Sequence, residues 1–217
     1  MYTCRPAIRT LALLAAALAA AGCSDGGPTP PEEQVPAFIA VVAGTGQVAE
    51  VGTQLPLPLV VQVRTIEGEP VPGVTVDWST LQGGVPNPAS STTDADGRAS
   101  TRLTLATTAG EDSVVATVRG TQTSGRVGVR GMPGPAVQLR TVPDSVVTYW
   151  FSGWSNVQAA ASDRYGNPLP ELNIAWTSLE PQYASVESLG GGNARIDPAY
   201  PGRARVVAQA GPLADTV

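Results

Sequence analysis

The side chains able to do chemistry near neutral pH are few in this chain of 217 residues. It has 13 arginines, no lysine and no histidine, and two cysteines, Cys4 and Cys23, both near the N-terminus. Without histidine it lacks a general base whose ordinary pKa lies near 7, and without lysine it cannot form a Schiff base. No G-x-S-x-G elbow or phosphate-cradling glycine loop occurs. Glu67 and Glu69 are paired carboxylates, but they stand in an exposed Gly/Pro turn, which is no setting for general acid–base work. The expectation is a protein that is not an enzyme and takes no cofactor.

Two constellations remain. Asp94-Ala95-Asp96-Gly97 sets alternate carboxylates before a glycine, as the start of a calcium loop would. Two carboxylates fall short of the six to eight oxygens calcium takes, and no glutamate follows at loop spacing. The same four residues make a good hairpin turn, so no metal is expected and Asp94 and Asp96 are only weak candidates. Tyr149-Trp150-Phe151-Ser152-Gly153-Trp154 holds four of the chain's eleven aromatic residues. In an extended strand, Tyr149 and Phe151 share one face and Trp150 takes the other, so at least one ring stays outside a core. Tyr149, Trp150, Phe151 and Trp154 are therefore candidate ligand-binding residues, for a glycan or a protein partner, with an interdomain or edge-covering contact as the alternative.

The element that must position them is written twice. Residues 63–80, VRTIEGEPVPGVTVDWST, align without a gap on residues 161–178, ASDRYGNPLPELNIAWTS. Gly68 falls on Gly166, Pro70 on Pro168, Pro72 on Pro170, Val76 on Ile174 and Trp78 on Trp176, which marks one structural unit used in tandem. Each copy reads as strand, tight turn, strand. The glycine supplies positive φ, the Pro-x-Pro belongs in a connection or at an edge, and the second strand turns Trp78 or Trp176 inward.

Strands are predicted at 38–42, 57–64, 74–79, 89–93, 98–105, 113–119 and 126–130, and no helical period interrupts them. Seven short strands in about 95 residues are the signature of a β-sandwich. Within 98–105, Ala99, Thr101, Leu103 and Leu105 should face the core while Arg98, Ser100, Arg102 and Thr104 face water. In the second copy, strands are predicted near 136–141, 156–162, 173–178, 184–188, 194–196 and 203–209. The last, at 213–217, reads as a strand cut short.

The motifs GTGQVAEVGTQLPLPLVVQV, GEPVPGVTVDW, TTDADGRASTRLTL and TAGEDSVVATV follow one another between residues 44 and 118. In that order they resemble a bacterial immunoglobulin-like domain of group 1, the module repeated in invasin and intimin type surface proteins. The second unit, with DRYGNPLP, IAW, YASVES and PGRARVVAQAG, resembles the broader bacterial Ig-like group. The resemblance implies an all-β chain of two tandem Ig-like β-sandwiches of about seven strands each, the second truncated, and without a disulfide.

The first residues read as an address. Arg5 and Arg9 precede an apolar run at 11–21 that is too short for a stable membrane span. Ala20-Ala21-Gly22-Cys23 resembles a bacterial lipobox, which implies cleavage before Cys23 and its lipidation. Ser24 after it implies, by the enterobacterial sorting rule, the outer membrane. The expected organisation is a lipoprotein signal peptide at 1–22 and a lipidated cysteine with a Pro/Gly tether at 23–36. The group 1 domain follows at 37–131, a linker at 132–135 and the second, incomplete Ig-like domain at 136–217. The tether reaches at most roughly 40 Å.

With Arg5 and Arg9 removed, 11 arginines face 18 acids, a net charge of −7. That surface argues against nucleic acid. The partners expected are the membrane, through the N-terminal lipid, and a protein or glycan ligand at the cell surface. The function expected is adhesion or surface scaffolding. The rivals are a carbohydrate-binding module built on residues 149–154 and a spacer for a catalytic domain encoded beyond residue 217.

Overall fold

In the computed structural model, which describes residues 34–149, 151 and 153–217, alternation of apolar and polar residues builds strands throughout, with no helix among the described residues. The first nine strands are β1 (Phe38–Ala43), β2 (Gln47–Glu50), β3 (Leu59–Arg64), β4 (Thr75–Thr80), β5 (Val85–Asn87), β6 (Ser90–Thr92), β7 (Arg98–Thr104), β8 (Gly110–Val118) and β9 (Ser124–Met132). They form two sheets, ordered β1-β3-β7-β5 and β2-β9-β8-β4-β6. The sheets face each other across one core that includes Leu59, Val61, Val63, Val76, Trp78, Leu103, Val114 and Val127. Each such side chain taken fully out of water contributes about 1.5–3 kcal/mol. Along β7, Ala99, Thr101 and Leu103 are buried, as is Leu105 just past it, while Arg98, Ser100 and Arg102 are exposed, so the predicted alternation holds.

Two of these strands go beyond the seven predicted. Gln47–Glu50 reads QVAE and has no apolar alternation, and it becomes β2 by pairing in parallel with β9. Val85–Asn87 contains a proline, and it is the outer strand of its sheet beside β7, where a missing amide donor is tolerated.

The remaining strands are β10 (Gln138–Val142), β11 (Ser155–Ser162), β12 (Ala175–Ser178), β13 (Ala184–Gly190), β14 (Asn193–Pro198), β15 (Val206–Ala210) and β16 (Leu213–Thr216). Their sheets are ordered β10-β11-β14-β13 and β12-β15-β16. Two apolar clusters lie between them, one around Leu139, Ala161, Ile174 and Ala208, the other around Val157, Ala184, Ile196 and Val206, and Trp176 packs against both. Asp215 ties the two sheets by accepting from the amide and hydroxyl of Thr141 at 2.6 and 2.8 Å, which hold its carboxyl below the ordinary range.

The repeated turn has the same geometry in both copies. The Thr65 amide donates to the Glu69 carbonyl at 2.8 Å, and the Asp163 amide to the Asn167 carbonyl at 3.0 Å. Gly68 and Gly166 take φ of 92° and 85°, and Pro70 and Pro168 each form an isolated bridge back to the strand before the turn. Between β6 and β7, Gly97 has φ 69° and lies so close to its neighbours that a Cβ would sit 2.7 Å from the Val63 carbonyl oxygen and 2.9 Å from the Val71 nitrogen. Gly97→Ala is therefore expected to lose about 2 kcal/mol, measured by urea denaturation, because both the left-handed backbone and the backbone contacts resist a methyl group. Gly68→Ala, where no atom lies within 4 Å of the new Cβ, should cost less.

Candidate functional site

The most completely hydrogen-bonded polar cluster joins the two sandwiches. Asp163 and Asn167, 3% and 7% exposed, close the DRYGNP turn after β11. Asp163 Oδ1 accepts from the amides of Tyr165 and Asn167 at 2.8 and 2.9 Å. Its Oδ2 accepts from Asn167 Nδ2 at 2.8 Å and from the amide of Gly134, just past β9, at 3.0 Å. Asn167 then reaches the loop between β7 and β8. Its Nδ2 donates to the Thr107 carbonyl at 2.7 Å, and its Oδ1 accepts from the Ala109 amide at 2.8 Å. Every donor and acceptor of the two side chains is committed, which is how a buried carboxylate and amide become stabilising rather than costly.

Burial alone would raise the Asp163 carboxyl. The Asn167 side chain and the amides of Gly134, Asn167 and Tyr165 outweigh it and bring the carboxyl from 3.8 down to about 2. Around this cluster the surfaces are close. A Cβ on Gly52 would lie 2.8 Å from the Tyr165 hydroxyl, and one on Gly134 would lie 2.7 Å from Glu50 Oε1. Arg164 stacks over the Tyr165 ring at 4.7 Å and approaches Glu50 at 3.9 Å. In the first sandwich the matching positions are Thr65, Glu67 and Glu69, so the turn is kept and the docking side chains are not. The sequence showed this turn but not its partners, which lie 29 to 60 residues away along the chain.

A second feature is a cleft of about 790 Å³ in the second sandwich. Its floor is the apolar cluster of Ala184, Ile196 and Val206, and its rim carries Tyr149, Phe151, Tyr183, Tyr200 and Arg203. Of the candidate ligand-binding residues, Tyr149 and Phe151 meet here with ring centroids 5.6 Å apart. Neither Tyr149 nor Phe151 lies in a strand. Trp154, 56% exposed, lies just before β11 and does not line the cleft. Tyr183, Tyr200 and Arg203 were not singled out from the sequence, because single rings in separate loops carry no pattern. Trp150 lies outside the described residues, as does Cys23.

Asp94 is occupied by its own turn. Its Oδ1 accepts from the amides of Asp96 and Arg98 at 2.9 and 2.8 Å, the geometry of a hairpin that needs no ion. Among the described residues no group of three or more carboxylate, histidine or cysteine side chains gathers to hold a metal. Farther along the chain, Asp112 Oδ1 accepts from the amides of Gln82 and Ser113, while its Oδ2 is buried without a partner among the described residues.

The profile of the bacterial Ig-like domain (group 1) matches residues 56–130. No curated relative matches the chain. Among solved structures, InvD of Yersinia pseudotuberculosis is similar over 78% of this chain and 54% of its own, at 20% identity and a TM-score of 0.53. Invasin, a bacterial integrin-binding protein, aligns over 83% of this chain and 38% of its own at 25% identity and a TM-score of 0.39. A C-terminal intimin fragment, solved with the intimin-binding domain of the translocated intimin receptor, aligns over 84% and 63% at 19% identity and a TM-score of 0.38. This chain thus spans between 38% and 63% of the length of these three. The InvD likeness is one of fold, and it runs through both sandwiches. The first of them matches the model of the bacterial Ig-like domain (group 1) over residues 56–130, and the chain carries it in tandem with a second Ig-like sandwich.

Proposed function

We propose that this chain is a non-enzymatic cell-envelope protein whose two Ig-like sandwiches act in adhesion or as a surface scaffold. The observation that carries the reading is the Asp163–Asn167 joint. The two buried side chains make six hydrogen bonds: three order the turn itself, and three reach Gly134, Thr107 and Ala109 and fix one sandwich against the next. A molecule that transmits force or holds a surface at a set distance needs such a joint, and a loosely linked pair does not. Group 1 domains repeat in invasin and intimin type surface proteins, which supports the same class. Residues 34–217 contain no histidine, lysine or cysteine, so acid–base and nucleophilic chemistry would have to rest on carboxylates and hydroxyls. Anchoring is assigned to a lipid on Cys23 and the location to the outer membrane, with residues 24–36 as the tether.

Cells producing the chain test this directly. The protein should label with palmitate, fractionate with the outer membrane and be shaved from whole cells by protease, and Cys23→Ala should abolish the label and release the protein. Label retained by the variant would sink the lipoprotein assignment. Unchanged attachment of cells to matrix proteins with and without the chain would leave scaffolding and remove adhesion.

One observation favours a second reading, binding of carbohydrate. Tyr149, Phe151 and Trp154 are 55%, 74% and 56% exposed, within a few residues of one another. On that reading Trp154→Ala should lose retention on an immobilised polysaccharide at least tenfold while the thermal midpoint stays unchanged. Equal retention of variant and parent would exclude it.

A further inference from the structure

The first sandwich seats its entering and leaving segments against each other. The chain comes in beside the β8–β9 turn, where the Thr123 hydroxyl donates to the Pro36 carbonyl at 3.4 Å and the Ala37 amide to the Arg64 carbonyl at 2.8 Å. It leaves past Met132, the last residue of β9. Entry and exit therefore stand at opposite ends of β9, whose nine residues span about 30 Å. β1 pairs antiparallel with β3 in one sheet, and past the turn at 44–46 the chain crosses to the other sheet, where β2 lies parallel to β9. Gln47 stands beside Val129 and Glu50 beside Met132. The Gly46 amide donates to the Gly128 carbonyl at 2.8 Å and the Val51 amide to the Met132 carbonyl at 3.0 Å, one at each end of the pair.

The composition of β9, SGRVGVRGM, receives that segment. Glycine inside a strand has no side chain to pack and marks a close approach of something else. A Cβ on Gly125 would lie 2.8 Å from Ile39 Cγ2, and one on Gly131 would lie 2.9 Å from Val51 Cγ1. Both β1 and the residue after β2 thus rest on β9 backbone. Between the two glycines, Val127 and Val129 are fully buried and hold β9 in the core, while β8 pairs with its other edge over eight residue pairs. Tension between entry and exit runs along these strands. It draws β2 toward its Gln47 end and β9 toward its Met132 end, so the two slide in opposite directions past each other. The bonds of the pair run between the strands, so they share the load and must fail together. Were the first and last strands antiparallel, entry and exit would fall at one end, and the same tension would open the bonds one after another.

We infer that the parallel β2–β9 pair is a load-bearing clamp, which keeps the first sandwich folded when the chain is pulled between the segment before Phe38 and the second sandwich. The inference rests on the adhesion or scaffold reading for its source of load, and it names the part of the fold that carries that load. Resistance to pulling is a property of the unfolding rate along the pulled direction, not of equilibrium stability, so the two can be measured apart.

The test stretches single 217-residue molecules held by their two ends. Unfolding of the first sandwich is recognised by its length, since residues 38–132 release roughly 300 Å of chain. The force it takes should be about twofold or more above the force needed across the sheet. That second pull uses handles on Thr45→Cys and Ser90→Cys in a Cys4→Ser, Cys23→Ser background; both handle positions are exposed, one at the start of β2 and the other on β6 at the far edge of the same sheet. Val48→Pro with Ala49→Pro removes both amides from the middle of β2 and should lower the end-to-end force about twofold. Gly97→Ala destabilises the fold at contacts with Val63 and Val71, outside the loaded pair, and should lower that force much less. Equal forces in the two pulling directions overturn the proposal, whether or not the proline variant folds. So does an end-to-end force that falls as far in Gly97→Ala as in the proline variant. Attachment of cells, measured separately, reports the adhesion reading: a strong clamp in a chain that attaches no cells would keep the clamp and remove adhesion.

Discussion

Asp163→Ala is expected to unfasten the two sandwiches and to remove about 3 kcal/mol from the stability of the pair, since hydrogen bonds to a charged acceptor are each worth about 1.5–3 kcal/mol and do not add fully. Four N–H groups lose their acceptor together, and Asn167 loses the carboxylate that orients its amide toward Thr107 and Ala109. Spin labels on the two sandwiches should show one narrow distance in the parent chain and a broad distribution in the variant. A narrow distribution in Asp163→Ala would mean that the Tyr165 and Glu50 contacts hold the joint without the carboxylate. Asn167→Glu, which writes the first copy's residue into the second, should broaden the distances as well. It removes the donor to Thr107 and sets a second carboxylate beside Asp163.

Acid should act on the same bond set. The Asp163 carboxyl lies at about 2 in the folded chain against an ordinary 3.8. A depressed value means that the folded state holds the proton less well, so the stabilisation is fully present above pH 3.8. It is lost as pH falls toward 2, and is worth about 2 kcal/mol over that interval. Asp77, Glu180 and Asp215 are also lowered, by Arg119, Arg205 and Thr141 in turn, so the whole chain weakens in that range. The joint is read from the difference. Between pH 4 and 2 the parent should lose more stability than Asp163→Ala does, and equal slopes would show that the carboxylate is not held as described.

What the sequence made legible follows from how far apart the interacting groups are. The repeat is readable because each copy closes on itself within a few residues: Gly166 needs its positive φ, and Pro168 bridges back to Ser162, six residues earlier. Strand alternation is readable for the same reason, as a core face recurs at every second residue. β2 was not readable, since Gln47–Glu50 is a strand only by virtue of its parallel partner β9 some eighty residues on. The joint lay between these cases. DRYGNP announced a turn, but the reason for Asp163 and Asn167, rather than the Thr65 and Glu69 of the first copy, sits on a loop of another sandwich. Of the aromatic run, the sequence indicated that rings would be exposed. It could not indicate that Tyr183 and Tyr200 would share a cleft with Tyr149 and Phe151, because the loops that bring them together carry no periodicity.

Trp78→Ala is expected to be the most damaging single change in the first sandwich, at about 3–5 kcal/mol by urea denaturation, because it empties the middle of one core. The ring is 5% exposed, and its Nε1 donates to Ser91 Oγ at 2.9 Å. The matching tryptophan of the repeat lacks that bond: Trp176 Nε1 is buried without a partner among the described residues. The same substitution should then have unequal consequences in the two copies. Trp78→Phe gives up ring volume and a satisfied hydrogen bond, and should cost about 2 kcal/mol. Trp176→Phe gives up similar volume but relieves a desolvated donor worth about 1–3 kcal/mol, so it should come out within about 1 kcal/mol of neutral. Ser91→Ala, which strands the Trp78 donor as the Trp176 donor is stranded now, should recover the difference between the copies. If Trp176→Phe proved as costly as Trp78→Phe, packing alone would set the value of the repeated tryptophan, and the hydrogen bond to Ser91 would count for nothing.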